Sequence, residues 1–203
     1  MVFTTLAHHI DVDLLREAYR RTRKDSTPGI DGITAKQYGE HLEENLEDLY
    51  ERLKSGRYKA PPVVRAWLEK DNGKRRPIGK PTFEDKIVQR AVVMLLEPIY
   101  EHVFHDFSHG FRRGRSQYQA LKELRENLID LRINWIVTAD ITGLFDNLDH
   151  ELLRNLIKKR MNDGTLLRLI GKWLHAGVME GESIHHPELP AVKGPELSHS
   201  MGR

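Results

Sequence analysis

The stretch WIVTADITGLF, residues 135–145, places an acid, a backbone carbonyl and an aromatic ring at short spacing at the end of a β-rich run. A strand ending in Asp140 would push a carboxylate out at the sheet edge, where a metal can reach it. Hard divalent cations such as Mg²⁺ want oxygen ligands, and they commonly take one or two carboxylates plus substrate phosphates. Ile141 offers a carbonyl one residue later, and Gly143 lets the chain turn closely beneath a substrate. Phe145 would set a ring beside whatever the metal holds. On spacing alone, a strand-end cap at Asp140 and a core ring at Phe145 explain the same residues. Asp146 and Asp149 read as turn and cap residues opening the next helix. The pairs His8-His9 and His185-His186 are metal-ligating by type, but adjacent side chains diverge and no third ligand is suitably spaced.

Charge along the chain agrees with phosphate chemistry next to a metal. The 203 residues carry 32 Lys and Arg against 30 Asp and Glu, a formal charge of +2, which excludes a bulk polyelectrolyte binder. That near-neutral total conceals segregation. Residues 65–90 hold eight bases against four acids, and 107–125 hold five bases against Glu123. Residues 140–151 then hold four acids and no Lys or Arg. Basic blocks followed by an acidic centre suit phosphate binding beside a cation. The acidic run 40–51 reads as a solvated helix face. The absence of cysteine excludes a disulfide framework, a thiolate zinc site and a Cys nucleophile. No apolar run approaches the roughly 18 residues that cross a bilayer, and the N-terminus meets acids too early for a signal peptide. The expectation is a soluble, cytoplasmic chain with no membrane partner.

The elements that must position these groups follow from periodicity and turn chemistry. Apolar spacing predicts a helix over 11–24 and, after a Pro- and Gly-containing loop at 26–32, a long helix capped by Thr34 and ended by Gly56. VVRAWLEK and RRPIG read as two strands joined through DNGK, because Asn72-Gly73 is a strong hairpin signal. A strongly apolar helix follows Pro81 and is interrupted at Pro98; HDFSHGFRRGR is a loop, and Ser116 caps a helix to about Leu131. NWIVTADI reads as a buried strand, with Trp67 and Trp135 as packing residues within strands. Helices over about 149–160 and 165–175 complete the pattern, which fails from Glu180 onward.

Six ordered blocks resemble the reverse transcriptase family, most closely the group II intron-encoded enzymes. They are TPGIDGIT (27–34), LKSGRYKAPPV (53–63), KDNGKRRPIGKPTFEDKIVQRAVVMLLEPIYEHVF (70–104), SHGFRRGRSQYQAL (108–121), ADITGLFDNLDHELL (139–153) and WLHAGVMEG (173–181). The resemblance implies an α+β fold: polymerase fingers of helices plus a β-hairpin over 1–133, the first part of an RRM-like palm over 134–182, and an off-pattern, disordered tail over 183–203. It implies Mg²⁺ as cofactor, with Asp140 as the first palm carboxylate and the Ile141 carbonyl as a further ligand. Lys70 and Arg76 match residues that grip an incoming dNTP triphosphate, a task suited to an Arg fork and a Lys point charge. Phe111, Arg112 and Arg115 match a block lining the template and nucleotide pocket. Phe145 matches the ring that excludes a ribose 2′-hydroxyl. Implied partners are an RNA template, a DNA primer, dNTP and intron RNA. Arg113 stands where the family usually has Pro, Lys80 where it has an aliphatic residue, and Thr142 where it more often has Lys.

Two-metal phosphoryl transfer uses carboxylates from two places, holding ions about 3.5–4 Å apart. The family's second set is a Tyr-Ala-Asp-Asp type hairpin, and this sequence contains no Asp-Asp pair. The expectation is therefore a truncated chain, inactive alone, with an out-of-frame reading after about residue 188 and an uncovered palm edge near 134–140. An RNA-binding intron-splicing fragment without polymerase activity is the alternative, and a nonfunctional remnant of a mobile element is a third reading.

Overall fold

The computed structural model describes residues 1–69, 73, 75–141, 143–144, 147–181 and 183–185. Helix α1 spans Val12–Arg21 and opens where Asp11 accepts a hydrogen bond from the Leu14 N–H, so an orphan donor of the first turn is satisfied. Leu15 and Ala18, three residues apart, are fully buried. Thr34 forms a reciprocal capping box with Gln37, as its position predicts, but the helix it starts is short. Instead of one long helix there are two, α2 (Ala35–Glu40) and α3 (Leu42–Lys54), broken at His41, whose φ of −124° and ψ of 45° are not helical. Asn45 Nδ2 donates to the Tyr38 carbonyl at 2.9 Å, satisfying an acceptor exposed by the break. Leu46 and Leu49 are the buried residues of α3, and Gly56, at φ +73°, takes up the left-handed conformation beyond its end.

Strands β1 (Val63–Glu69) and β2 (Arg75–Lys80) pair antiparallel from Val64 opposite Lys80 to Glu69 opposite Arg75, as the hairpin signal predicts. The loop from Thr27 is pressed against the residues leading into the next helix. A Cβ on Gly29 would lie 2.5 Å from the Thr82 nitrogen, so only glycine permits that approach. Helix α4 spans Phe83–Glu101 and runs through Pro98, correcting the expected interruption. The missing N–H removes one rung, and only three residues of helix lie beyond it. Helix α5 (Gln117–Asp130) starts at the predicted Ser116 cap, which forms a reciprocal capping box with Gln119. Helices α6 (His150–Lys158) and α7 (Gly164–Leu174) are capped by Asp149 and Asp163. Beyond α7, β3 (Val178–Glu180) and β4 (Ser183–His185) form a short hairpin, so regular structure continues past residue 182; residues 186–203 lie outside the described ones.

The sheet order is β2-β1-β3-β4, with β1 parallel to β3 through Val63–Val178 and Val64–Met179. The fold class is α+β, as expected. The strand expected over NWIVTADI does not form: residues 133–141 are irregular, with Trp135 and Val137 about nine-tenths exposed. A lone β-rich segment has no ladder to join, and its backbone groups are better satisfied by water.

Packing divides the chain into two units, Met1–Leu95 with Leu148 onward, and Leu96–Asn147. The motif border at 133/134 falls inside the second. In the first unit Leu15, Leu46, Leu49, Phe83, Ile87 and Val88 form a dry core. Tyr19 and Tyr38 join it as stacked rings 6.5 Å apart, each meeting the Phe83 ring edge-on at 5.9 and 5.6 Å. The second unit contains the end of α4, the loop to Ser116, α5 and the segment to Asn147. Helix α5 buries none of its residues and exposes Tyr118, Leu121 and Ile129. Among the described residues, no helix is long and apolar enough to cross a membrane.

Candidate nucleotide and nucleic-acid site

Of the triphosphate candidates, Arg76 stands on β2 opposite Leu68 and is exposed, with no ion-pair partner among the described residues; Lys70 lies outside the described residues. The β1–β2 ladder fixes its place, since a one-residue slip would send it to the other face. Trp67 does not pack in a core. It is 46% exposed, and its indole N–H donates to Glu180 Oε1 at 3.1 Å, tying β1 to β3 across the sheet. Arg65 adds an ion pair to the same carboxylate at 3.8 Å.

In the second unit the basic loop separates its candidates by environment. Phe111 is fully exposed and held at φ +58°, a left-handed conformation that a bulky residue adopts only under constraint. Arg112, its neighbour, is buried. Its Nε donates to Glu101 Oε1 at 3.1 Å, its Nη2 donates to the same oxygen, and its Nη1 donates to the His105 and Ser108 carbonyls at 2.8 Å each. The guanidinium also lies 5.4 Å from the Phe104 ring. The Arg112 fork therefore organises the loop, and the hydrogen bond from it holds Glu101 below the ordinary carboxylate range. Arg115 is the more available base, with a loose 3.9 Å pairing to Asp106. Arg113 is exposed.

Asp140 and Ile141 lie on the irregular segment, both exposed, and Phe145 lies outside the described residues. Asp140 has no hydrogen-bond or ion-pair partner among the described residues. An octahedral Mg²⁺ requires about six oxygens, and Asp140 with the Ile141 carbonyl offers two kinds. Among the described residues no three His, Asp or Glu side chains converge, so this donor set by itself does not make a complete metal site.

The most elaborate polar arrangement is one the sequence reading missed. Asp85, on α4, is 2% exposed, and it accepts from the Tyr58 hydroxyl, from Trp173 Nε1 at 2.7 Å and from Gln89 Nε2 at 2.7 Å. Burial pushes its carboxyl above the ordinary range, against the three donors that favour the charged form. The cluster ties the approach to β1, helix α4 and helix α7 at one point. Its signal was present: Asp85, Val88 and Val92 share one apolar stripe, and an acid on such a stripe needs buried partners. A second buried acid, Asp163, caps α7 through Thr165 and Leu166 and also accepts from the Leu6 and Ala7 N–H groups at 2.7 and 2.9 Å. It fastens the N-terminal segment to the start of α7.

Comparison with known proteins gives this geometry its context. Residues 68–191 match the family model described as reverse transcriptase (RNA-dependent DNA polymerase). The chain is 39% identical over 199 residues to the group II intron-encoded protein LtrA of Lactococcus lactis subsp. cremoris, covering 97% of this chain. The chain belongs to the reverse transcriptase family. Reverse transcriptases of this kind include relatives encoded by group II introns, as the LtrA match indicates. Protein YkfC of Escherichia coli K12 is 37% identical over 169 residues, or 80% of this chain. The chain spans 33% of LtrA and 44% of YkfC. Among solved structures, a Cas6-RT-Cas1–Cas2 complex matches with a TM-score of 0.56 at 22% identity, covering 89% of this chain and 18% of that one. That likeness speaks for a shared fold.

Proposed function

We propose that this chain carries the fingers (to residue 133) and the first part of the palm (134–182) of an RNA-directed DNA polymerase of group II intron type, with RNA template, DNA primer, dNTP and Mg²⁺ as its ligands. The observation that carries the reading is the 39% identity along 97% of the chain to a group II intron-encoded protein. The formed β1–β2 hairpin, which sets Arg76 in the open, supports it. In this reading Lys70 and Arg76 hold the triphosphate, Arg115 and Phe111 meet the template and base, and Phe145 excludes a 2′-hydroxyl. Asp140 and the Ile141 carbonyl would hold the Mg²⁺, which when bound supplies charge neutralisation at the phosphates. Arg112 serves by shaping the loop.

The 203 residues contain no Asp-Asp pair, and one carboxylate set does not assemble two ions. The 203-residue polypeptide is therefore expected to bind an RNA template annealed to a DNA primer, in a salt-dependent manner, without extending it. Primer extension by this polypeptide would overturn the single-carboxylate assignment. Failure to retain the primer-template in a gel shift at low salt would overturn the substrate assignment.

A further inference from the structure

Residues 7–10, the end of α3 and one face of α7 enclose a groove of about 640 Å³ within the first unit. That volume lies in the range, about 300–1,000 Å³, of ligand pockets. Its floor is apolar, with Ile10, Leu53, Leu169 and the half-buried ring of Tyr50. Its rim carries Lys54, Arg168 and Lys172, and no Asp or Glu lines it. None of the residues assigned to the polymerase site lines it either.

The three cations around the groove differ from the arginines of α1 and from Arg52 of α3. Arg16, Arg20, Arg21 and Arg52 are each paired with a carboxylate. Lys54 Nζ instead sits 5.2 Å from the Tyr50 ring centroid, Arg168 Nη2 donates to Thr165 Oγ1 at 3.1 Å, and Lys172 Nζ donates to the Gly56 carbonyl at 3.1 Å and to that of Tyr58. Among the described residues no carboxylate neutralises them. Like charges gathered around an apolar floor repel one another and attract an anion that carries a flat apolar body. A nucleotide joins both properties: a base that stacks on an aromatic ring and a phosphate that accepts from Lys and Arg. A paired strand keeps its bases stacked inside and cannot present one here.

We infer that this groove binds one nucleotide of a single-stranded RNA, the base against Tyr50 and the phosphate among Lys54, Arg168 and Lys172. The inference rests on the RNA-handling reading of the preceding subsection and adds a second contact, separate from the polymerase site.

The test uses the whole chain and a short single-stranded RNA carrying one 2-aminopurine, followed by anisotropy and by quenching of the base. The groove variant Lys54→Ala/Arg168→Ala, at two exposed positions, is expected to weaken binding about tenfold and to flatten the log–log salt slope by about 0.7, the share of one single-strand phosphate. Tyr50→Leu is expected to abolish the quenching. Arg76→Ala/Arg115→Ala should leave the quenching intact. Unchanged affinity, slope and quenching in both groove variants would sink the inference. If the Arg76/Arg115 variant then lost affinity, the polymerase reading would stand without it. Absence of RNA binding by the unaltered chain would sink both. Loss of the quenching signal to poly-glutamate as readily as to competitor RNA would assign the groove to an acidic protein segment instead, and overturn the RNA assignment.

Discussion

Two segments rich in β-formers met different fates. VVRAWLE, β1, lies in the middle of a four-stranded sheet, whereas WIVTADI, 135–141, is irregular and exposed. Their compositions alone do not separate them. Strand β1 finds β2 with only five residues between them along the chain, and its other edge finds β3. A strand whose partner lies a few residues away loses little loop entropy in finding it, and two ladders satisfy both backbone edges. Residues 135–141 have no such neighbour among the described residues. Strand formation depends on the partner as much as on the segment.

The same contrast separates the acids. Asp85 and Asp163 are buried with three or more donors, while Asp140 is exposed and has no partner among the described residues. Replacing Asp85 with Leu would leave the buried Tyr58 hydroxyl without its acceptor, and likewise the half-buried Trp173 indole N–H and Gln89 amide. The expected loss is about 3 kcal/mol or more, whereas Asp140→Leu is expected to stay within about 0.5 kcal/mol. Urea unfolding of both variants makes the comparison, and equal losses would erase it.

Asp163 gives a smaller effect with a definite sign. Burial alone would raise its carboxyl, but hydrogen bonds from Ala7, Leu166, Leu6 and Thr165 N–H groups prevail and hold it below its ordinary 3.8. A carboxyl whose folded pKa is lowered binds protons more weakly in the native state, so the stability it supplies is present above the ordinary value and is lost as pH falls through the folded pKa. Unfolding free energy measured down through pH 4 is expected to fall more steeply in the native chain than in Asp163→Asn. Parallel curves would show that the N-terminal fastening carries no acid dependence.

The smallest effect concerns the irregular segment. Amides of 135–141 are expected to exchange with solvent far faster than those of Val64–Leu68. Trp135→Ala should alter stability by no more than about 0.5 kcal/mol. Protection of 135–141 comparable to that of β1 would mean that the segment finds a partner strand.

Much of the local framework was legible. Asp149, Ser116 and Thr34 are the caps their positions announced, and Asn72-Gly73 marked a hairpin that formed, because caps and tight turns depend on residues within a few positions of one another. The break at His41 and the passage of α4 through Pro98 were not legible, since propensity is a weak prior that packing overrides. Among the candidate site residues, Arg76 lies where the hairpin reading implied. Arg112 does not reach outward, because Glu101 and two carbonyls, all distant from it by several residues, claim its donors.

By itself the sequence determined the family, through six ordered blocks, along with the hairpin, the caps and the segregated charge. Tertiary structure alone decided which acids are buried, which arginine is internal, which β-rich segment becomes a strand, and that three cations with no carboxylate partner among the described residues gather around the Tyr50 groove. The reason is physical. Motifs and caps are set by neighbours along the chain, whereas desolvation, strand pairing and ion pairing are set by neighbours in space.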